Sequence, residues 1–186
     1  MTDVFILPGI GNSGPDHWQS HWERGDPRMR RIEQAEWDAP GRRDWERRLD
    51  DVMHAQREPV ILAARSSACA LVAHWARQAD PKALDLVQGA LLVAPSDPLG
   101  PNYPTGPRDF APVPHERLPF PSIVVASTDD RYVGLDRARE YATAWGGELI
   151  VLENAGHINV ASGFGPWPEG LELIERLRGG RSLSAS

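Results

Sequence analysis

Ser66 stands where an apolar run, Val60-Ile61-Leu62-Ala63-Ala64, gives way through Arg65 to the small residues Ser67-Ala68-Cys69-Ala70. A buried strand that turns directly into a helix can lift a serine hydroxyl above the sheet edge. That turn needs small neighbours two positions before and after the serine, usually glycine. Ala64 and Ala68 hold those positions. The pattern is degenerate, and Ser66 equally suits the plain role of a helix N-cap.

A serine hydroxyl is a poor nucleophile near neutrality. It needs a histidine to take its proton and an acid to hold that histidine in the right tautomer. Downstream of Ser66 the order is acid, then histidine: Ser122–Ser127 leads into Thr128-Asp129-Asp130-Arg131, and Leu152-Glu153-Asn154-Ala155 leads into Gly156-His157. Of the six histidines, His157 alone directly follows a strand-and-glycine pattern. Asp129 and Asp130 are not separable on these grounds, since an aspartate after a strand commonly caps a turn; one caps and the other orients. Near the amino end, Phe5-Ile6-Leu7-Pro8 precedes the glycine-rich Gly9-Ile10-Gly11-Asn12-Ser13-Gly14, whose backbone N–H groups could face a developing oxyanion.

Three other constellations lead elsewhere. Gly9-x-Gly11-x-x-Gly14 matches a dinucleotide-binding pattern by letter, with Ile32-Glu33 in the place of the acidic ribose ligand. His17 and His21 stand at i and i+4, a spacing that can hold zinc on a helix, but neither a glutamate after the first histidine nor a third ligand accompanies them. Cys69, three residues past Ser66, reads as a small packed residue rather than a thiolate.

These residues need a scaffold that brings strand ends together. Short apolar runs at Val4–Leu7, Pro59–Ala64, Gly89–Val93, Ser122–Ala126 and Glu148–Leu152 have the character of strands buried on both faces. Between them Trp45, Leu49, Val52 and Met53 recur at helical spacing, as do Leu71, Val72, Trp75 and Ala79, then Leu135, Ala138, Ala142 and Trp145. A last helix is expected from about Pro168 to Gly179–Gly180, with residues 181–186 a flexible tail. Such alternation predicts an α/β fold: one mostly parallel sheet with helices on both faces, binding its ligand beyond the strands' carboxyl ends. Residues 94–121, rich in proline and glycine, read as a long ordered excursion rather than a linker, and no insertion is large enough for a lid domain.

Composition agrees with one domain over residues 1–180. A chain of 186 residues buries roughly 70% of its unfolded surface, enough for a single core. The net charge of −6 argues against a nucleic-acid partner. No run approaches the ~20 apolar residues that span a bilayer. One cysteine allows no internal disulfide, which suits a reducing cytoplasm.

Beyond these features the chain resembles the small α/β-hydrolases that include retinoblastoma-binding protein 9 and its bacterial relatives. The resemblance covers nearly the whole length. It rests on Leu7-Pro8-Gly9 with His17-Trp18, on the serine turn followed by Ala73-His74-Trp75, and on Leu118-Pro119-Phe120-Pro121. Further carriers are Ser127-Thr128-Asp129-Asp130, Ala155-Gly156-His157-Ile158-Asn159 and, most specifically, Ser162-Gly163-Phe164-Gly165-Pro166-Trp167-Pro168-Glu169-Gly170. It implies Ser66 as nucleophile, Asp130 as the acid and His157 as the base. It implies an oxyanion hole of the Ser67 N–H and one from the Gly9–Gly11 loop, that of Ile10. The chain departs from the pattern at Arg65, where relatives commonly have histidine, and at Ala68, where they have glycine.

The expected function is therefore a cofactor-free, metal-free serine hydrolase acting on small-molecule carboxylic esters. A shallow site is expected, walled by the Gly9–Trp18 loop, the 94–120 excursion and the 162–167 segment, with Gly9, Trp18, Phe164 and Trp167 touching substrate. The same aromatics could instead pack the loops. The rival reading is a non-catalytic binding protein on a retained hydrolase fold; a nucleotide-binding module is a weaker one.

Overall fold

A computed structural model describes residues 1–106 and 109–179. Six strands form one sheet in the order β2-β1-β3-β4-β5-β6, and every pairing is parallel. They are β1 (Asp3–Leu7), β2 (Met29–Arg31), β3 (Val60–Arg65), β4 (Val87–Val93), β5 (Ser122–Ser127) and β6 (Glu148–Leu152). The helices are α1 (Trp18–Gly25), α2 (Arg42–His54), α3 (Ser67–Ala76), α4 (Pro81–Asp85), α5 (Leu135–Trp145) and α6 (Pro168–Arg178).

The continuous apolar runs arise because both sheet faces are covered and side chains alternate between them. Val4 and Ile6 of β1 point to one side with Ile61, Ala63, Leu91, Val93, Ile123 and Val125, where Trp18 and Trp22 of α1 and Ile174 and Leu177 of α6 close the layer. Phe5 and Leu7 point to the other with Leu62, Ala64, Ala90, Leu92, Val124 and Ala126, beneath Trp45, Leu49, Leu71, Trp75 and Trp145 from α2, α3 and α5. The expected strands and helices are all present. β2, α1 and α4 are additions.

Between β4 and β5, residues 94–121 contain no helix or strand among the described residues, yet this excursion is tied down. Phe110 is fully buried against Trp45. The Phe110 carbonyl lies 2.9 Å from His74 Nε2, and Trp145 Nε1 donates to the Pro114 carbonyl. Asp97 N donates to the Tyr132 carbonyl, 3.0 Å away. At the carboxyl end α6 stops at Arg178 with Gly179 as its cap; Gly180 and the expected tail at 181–186 lie outside the described residues. Among the described residues no helix is long and apolar enough to cross a membrane.

Candidate active site

β3 and α3 meet at Ser66, whose backbone adopts φ 58° and ψ −125°. A side-chain-bearing residue is strained there and persists only when its surroundings over-determine it. They do: Ser66 N donates to the Val93 carbonyl of β4, and its own carbonyl accepts from Cys69 N in α3. Ala68 lies within α3 at ordinary helical geometry, absent from the residues with positive φ. The alanine that replaces the family's glycine is thus accommodated without strain. Cys69 is fully buried, and that burial pushes its thiol pKa up.

Three sequence-predicted residues converge. Ser66 Oγ lies 3.0 Å from His157 Nε2, and His157 Nδ1 lies 2.8 Å from Asp130 Oδ2. All three residues are buried. Asp130 Oδ1 accepts the Tyr132 N–H, so both carboxylate oxygens are committed. Asp129 turns away: its Oδ1 accepts from Ser127 Oγ and from Gly156 N, stitching the β5 loop to the loop that carries His157. With Asp130 accepting from Nδ1–H, the ring presents its Nε2 lone pair to Ser66. The serine's only proton then goes to His157, and the second hydroxyl on it, Ser96 Oγ at 2.6 Å, is the donor of that contact.

Of the two oxyanion candidates, Ile10 is placed by the glycine loop after β1 and Ser67 by the start of α3. A Cβ on Gly9 would stand 2.9 Å from Ser66 Cβ and 3.1 Å from the Arg65 carbonyl, so only glycine lets the loop after β1 approach the serine. Gly9 thus acts by making room rather than by offering a surface. Its successor Ile10 lines the cavity over Ser66, and neither the Ile10 nor the Ser67 N–H has a protein acceptor among the described residues. The loop is held from behind. Fully buried Gln19 donates to the Leu7 and Ala63 carbonyls, and Arg31 donates to Asn12 Oδ1 and the Ser13 carbonyl. Gly9→Ala is expected to lower kcat/KM on any ester about 100-fold or more, because a shift of about 1 Å near the reacting atoms costs that much. A Gly9→Ala protein within fivefold of wild type would show that the loop's approach does not matter.

The aromatic wall is not where the sequence analysis places it. Trp18 is fully buried, its indole N–H donating to the Ile158 carbonyl beside His157, and it packs on Trp22 and Trp167 at 4.5 and 5.2 Å. Trp167 is buried and stacks on Trp22, and Phe164 meets Trp167 edge-on. None of the three lines the cavity over Ser66. Their large apolar surface covers the outer face of β1, β3 and β4, the alternative of loop packing. The cavity, about 130 Å3, is lined by Ile10, Arg65, Ser66, Ser67, Ser96, Pro104, Tyr132, His157 and Asn159. Its aromatic face is Tyr132, 4.5 Å from the His157 ring. Tyr132 and Ser96 escape sequence reasoning. The one signal for Tyr132 is its place two residues after Asp130, and for Ser96 its place just past the β4 end adjoining β3.

His17 is the N-cap of α1, its Nδ1 accepting from Gln19 N. Burial, with Arg65, Arg31 and His157 nearby, lowers its pKa from 6.5 to about 3. The ring is therefore neutral in the fold while the unfolded chain takes up a proton below about 6.5. Stability is lost as pH falls from 6.5 toward 3, by up to about 1.4 kcal/mol per pH unit. His17→Asn, which keeps a capping side chain, is expected to flatten the fall of the denaturation midpoint over that window. An unchanged slope would show that another group carries the acid sensitivity.

A fold of this topology with a serine on the β3–α3 turn defines an α/β-hydrolase. The chain belongs to the Serine hydrolase family, whose family model matches residues 4–176. It is similar to a Pectobacterium atrosepticum protein described as a YdeN-like hydrolase, at 31% identity over 95% of this chain and 90% of that one, with a TM-score of 0.83. The fold is shared with the ydeN gene product of Bacillus subtilis, at 20% identity over 96% and 100% of the two chains and a TM-score of 0.78. It is also shared with Thermogutta terrifontis esterase 2, at 17% identity over 100% and 85% and a TM-score of 0.68. Among curated proteins no significant match was found.

Proposed function

We propose that the chain hydrolyses small carboxylic esters through an acyl-enzyme on Ser66. The hydrogen-bonded line Ser66–His157–Asp130, ending on a serine at a strained strand-to-helix turn, carries the reading. Ser66 Oγ attacks the ester carbonyl as His157 Nε2 takes its proton. The resulting oxyanion accepts from the Ile10 and Ser67 N–H groups. His157 returns the proton to the leaving alkoxide, then activates a water that releases the acid and restores Ser66. Asp130 stays ionised throughout, holding the ring and stabilising its charged form. The solved structure of an esterase with the same fold is consistent with ester chemistry.

The cavity is small, about 130 Å3, and residues 94–121 supply no helical lid among the described residues. Phenyl acetate and butyrate are expected to show higher kcat/KM than octanoate and dodecanoate, each unaccommodated methylene forfeiting roughly 0.8 kcal/mol of burial. A steady rise from acetyl to dodecanoyl, measured below the micelle concentrations, would reveal a long apolar tunnel and overturn the small-ester assignment.

A further inference from the structure

Arg65 is a buried cation, 8% exposed, at the last position of β3, immediately before Ser66. Arg65 is among the residues that line the cavity over the serine, Nε has no hydrogen-bond acceptor, and no ion pair within 4.0 Å engages the guanidinium among the described residues. Asp130, the carboxylate whose charge reaches it, already gives one oxygen to His157 Nδ1 and the other to the Tyr132 N–H. A guanidinium remains charged in proteins, and leaving it desolvated and unpaired is costly. A charged group held in an active-site wall at that cost is explained if a ligand brings a counter-charge to the guanidinium. The fork geometry of guanidinium matches a carboxylate or another planar or tetrahedral oxyanion, by two parallel N–H···O bonds.

We propose that Arg65 is a substrate-binding residue that pairs with an anionic group, a carboxylate, carried by the ester within a few atoms of its scissile carbonyl. Arg65 lines the same cavity of about 130 Å3 as Ser66, so the charge and the reacting carbonyl belong to one short molecule. The inference rests on the proposed ester hydrolysis for its reaction, but the anion site itself is testable without turnover.

The test is calorimetric titration of the wild-type protein, Arg65→Gln and Arg65→Lys with succinate, and with succinamide as the neutral match. Wild type is expected to bind succinate at least about tenfold more tightly than succinamide, as for a hydrogen bond to a charged group. Arg65→Gln is expected to lose that preference, and Arg65→Lys, which keeps the charge without the fork, to retain part of it. Equal binding of the two compounds by wild type overturns the proposal even if Arg65→Gln fails to fold, as does a succinate preference unchanged in Arg65→Gln. The kcat/KM ratios of monophenyl succinate and of carboxyphenyl acetate to phenyl acetate then place the anion on the acyl or the leaving-group side. The favoured ratio is expected to exceed 10 and to fall at least about tenfold in Arg65→Gln. Succinate binding that depends on Arg65, with no ester cleaved, would sustain the anion site and remove the esterase reading instead.

Discussion

Ser66→Ala is expected to lower ester hydrolysis by about 10⁴-fold or more, to the level left by binding and the oxyanion hole alone, while Ser67→Ala stays within about tenfold of wild type. The two serines are adjacent, but their hydroxyls have different partners. Ser66 Oγ meets His157 Nε2 at 3.0 Å; Ser67 Oγ meets the Tyr103 hydroxyl at 3.0 Å, steadying the 94–121 excursion. Ser67 is asked for its backbone N–H, which alanine keeps. Initial rates on phenyl acetate, with circular dichroism to confirm folding, separate the cases. Equal losses in both variants would contradict the roles drawn for them.

The second large effect concerns the adjacent aspartates. Asp130→Asn is expected to lower kcat by about 10³- to 10⁴-fold with little change in KM. An amide facing Nδ1 can donate to it. That favours the tautomer with its proton on Nε2, which cannot accept the proton of Ser66. Asp130 has no exposed side-chain surface, so water cannot take over its contact. Asp129→Asn is expected to stay within about tenfold, because its Oδ1 acts as an acceptor for Ser127 Oγ and Gly156 N, and an asparagine carbonyl can do the same. A larger loss for Asp129→Asn than for Asp130→Asn would reverse the assignment.

Ser66 and the pair of aspartates are legible because each follows a strand buried along its whole length, which announces itself as an unbroken apolar run; His157 is legible by the glycine before it and the short apolar run of β6, an edge strand only half-buried. β2 was hidden for the opposite reason: as a three-residue edge strand, Met29-Arg30-Arg31, it buries only one residue. α1 was hidden because its inward face includes Gln19 and Ser20, polar groups that serve the loop over Ser66 and break the apolar periodicity. For Trp18 and the aromatic residues of the 162–167 segment the sequence allows both substrate contact and loop packing, and does not choose between them. The sequence shows nothing of the T-shaped and stacked contacts that draw Trp18, Trp22 and Trp167 into one buried group. Ser96, 30 positions from Ser66, could be found only once the order of strands placed the end of β4 beside β3.

The Ser96 hydroxyl beside Ser66 makes adduct mapping the most direct test of the proposed nucleophile. Wild-type protein treated with a fluorophosphonate ester, digested and mapped by tandem mass spectrometry, is predicted to carry one phosphonyl adduct, on Ser66, with none on Ser67 or Ser96 and none after prior denaturation. A folded protein that takes up no adduct, or carries it on Ser96 rather than Ser66, would contradict the claim that Ser66 is the nucleophile of this hydrolase.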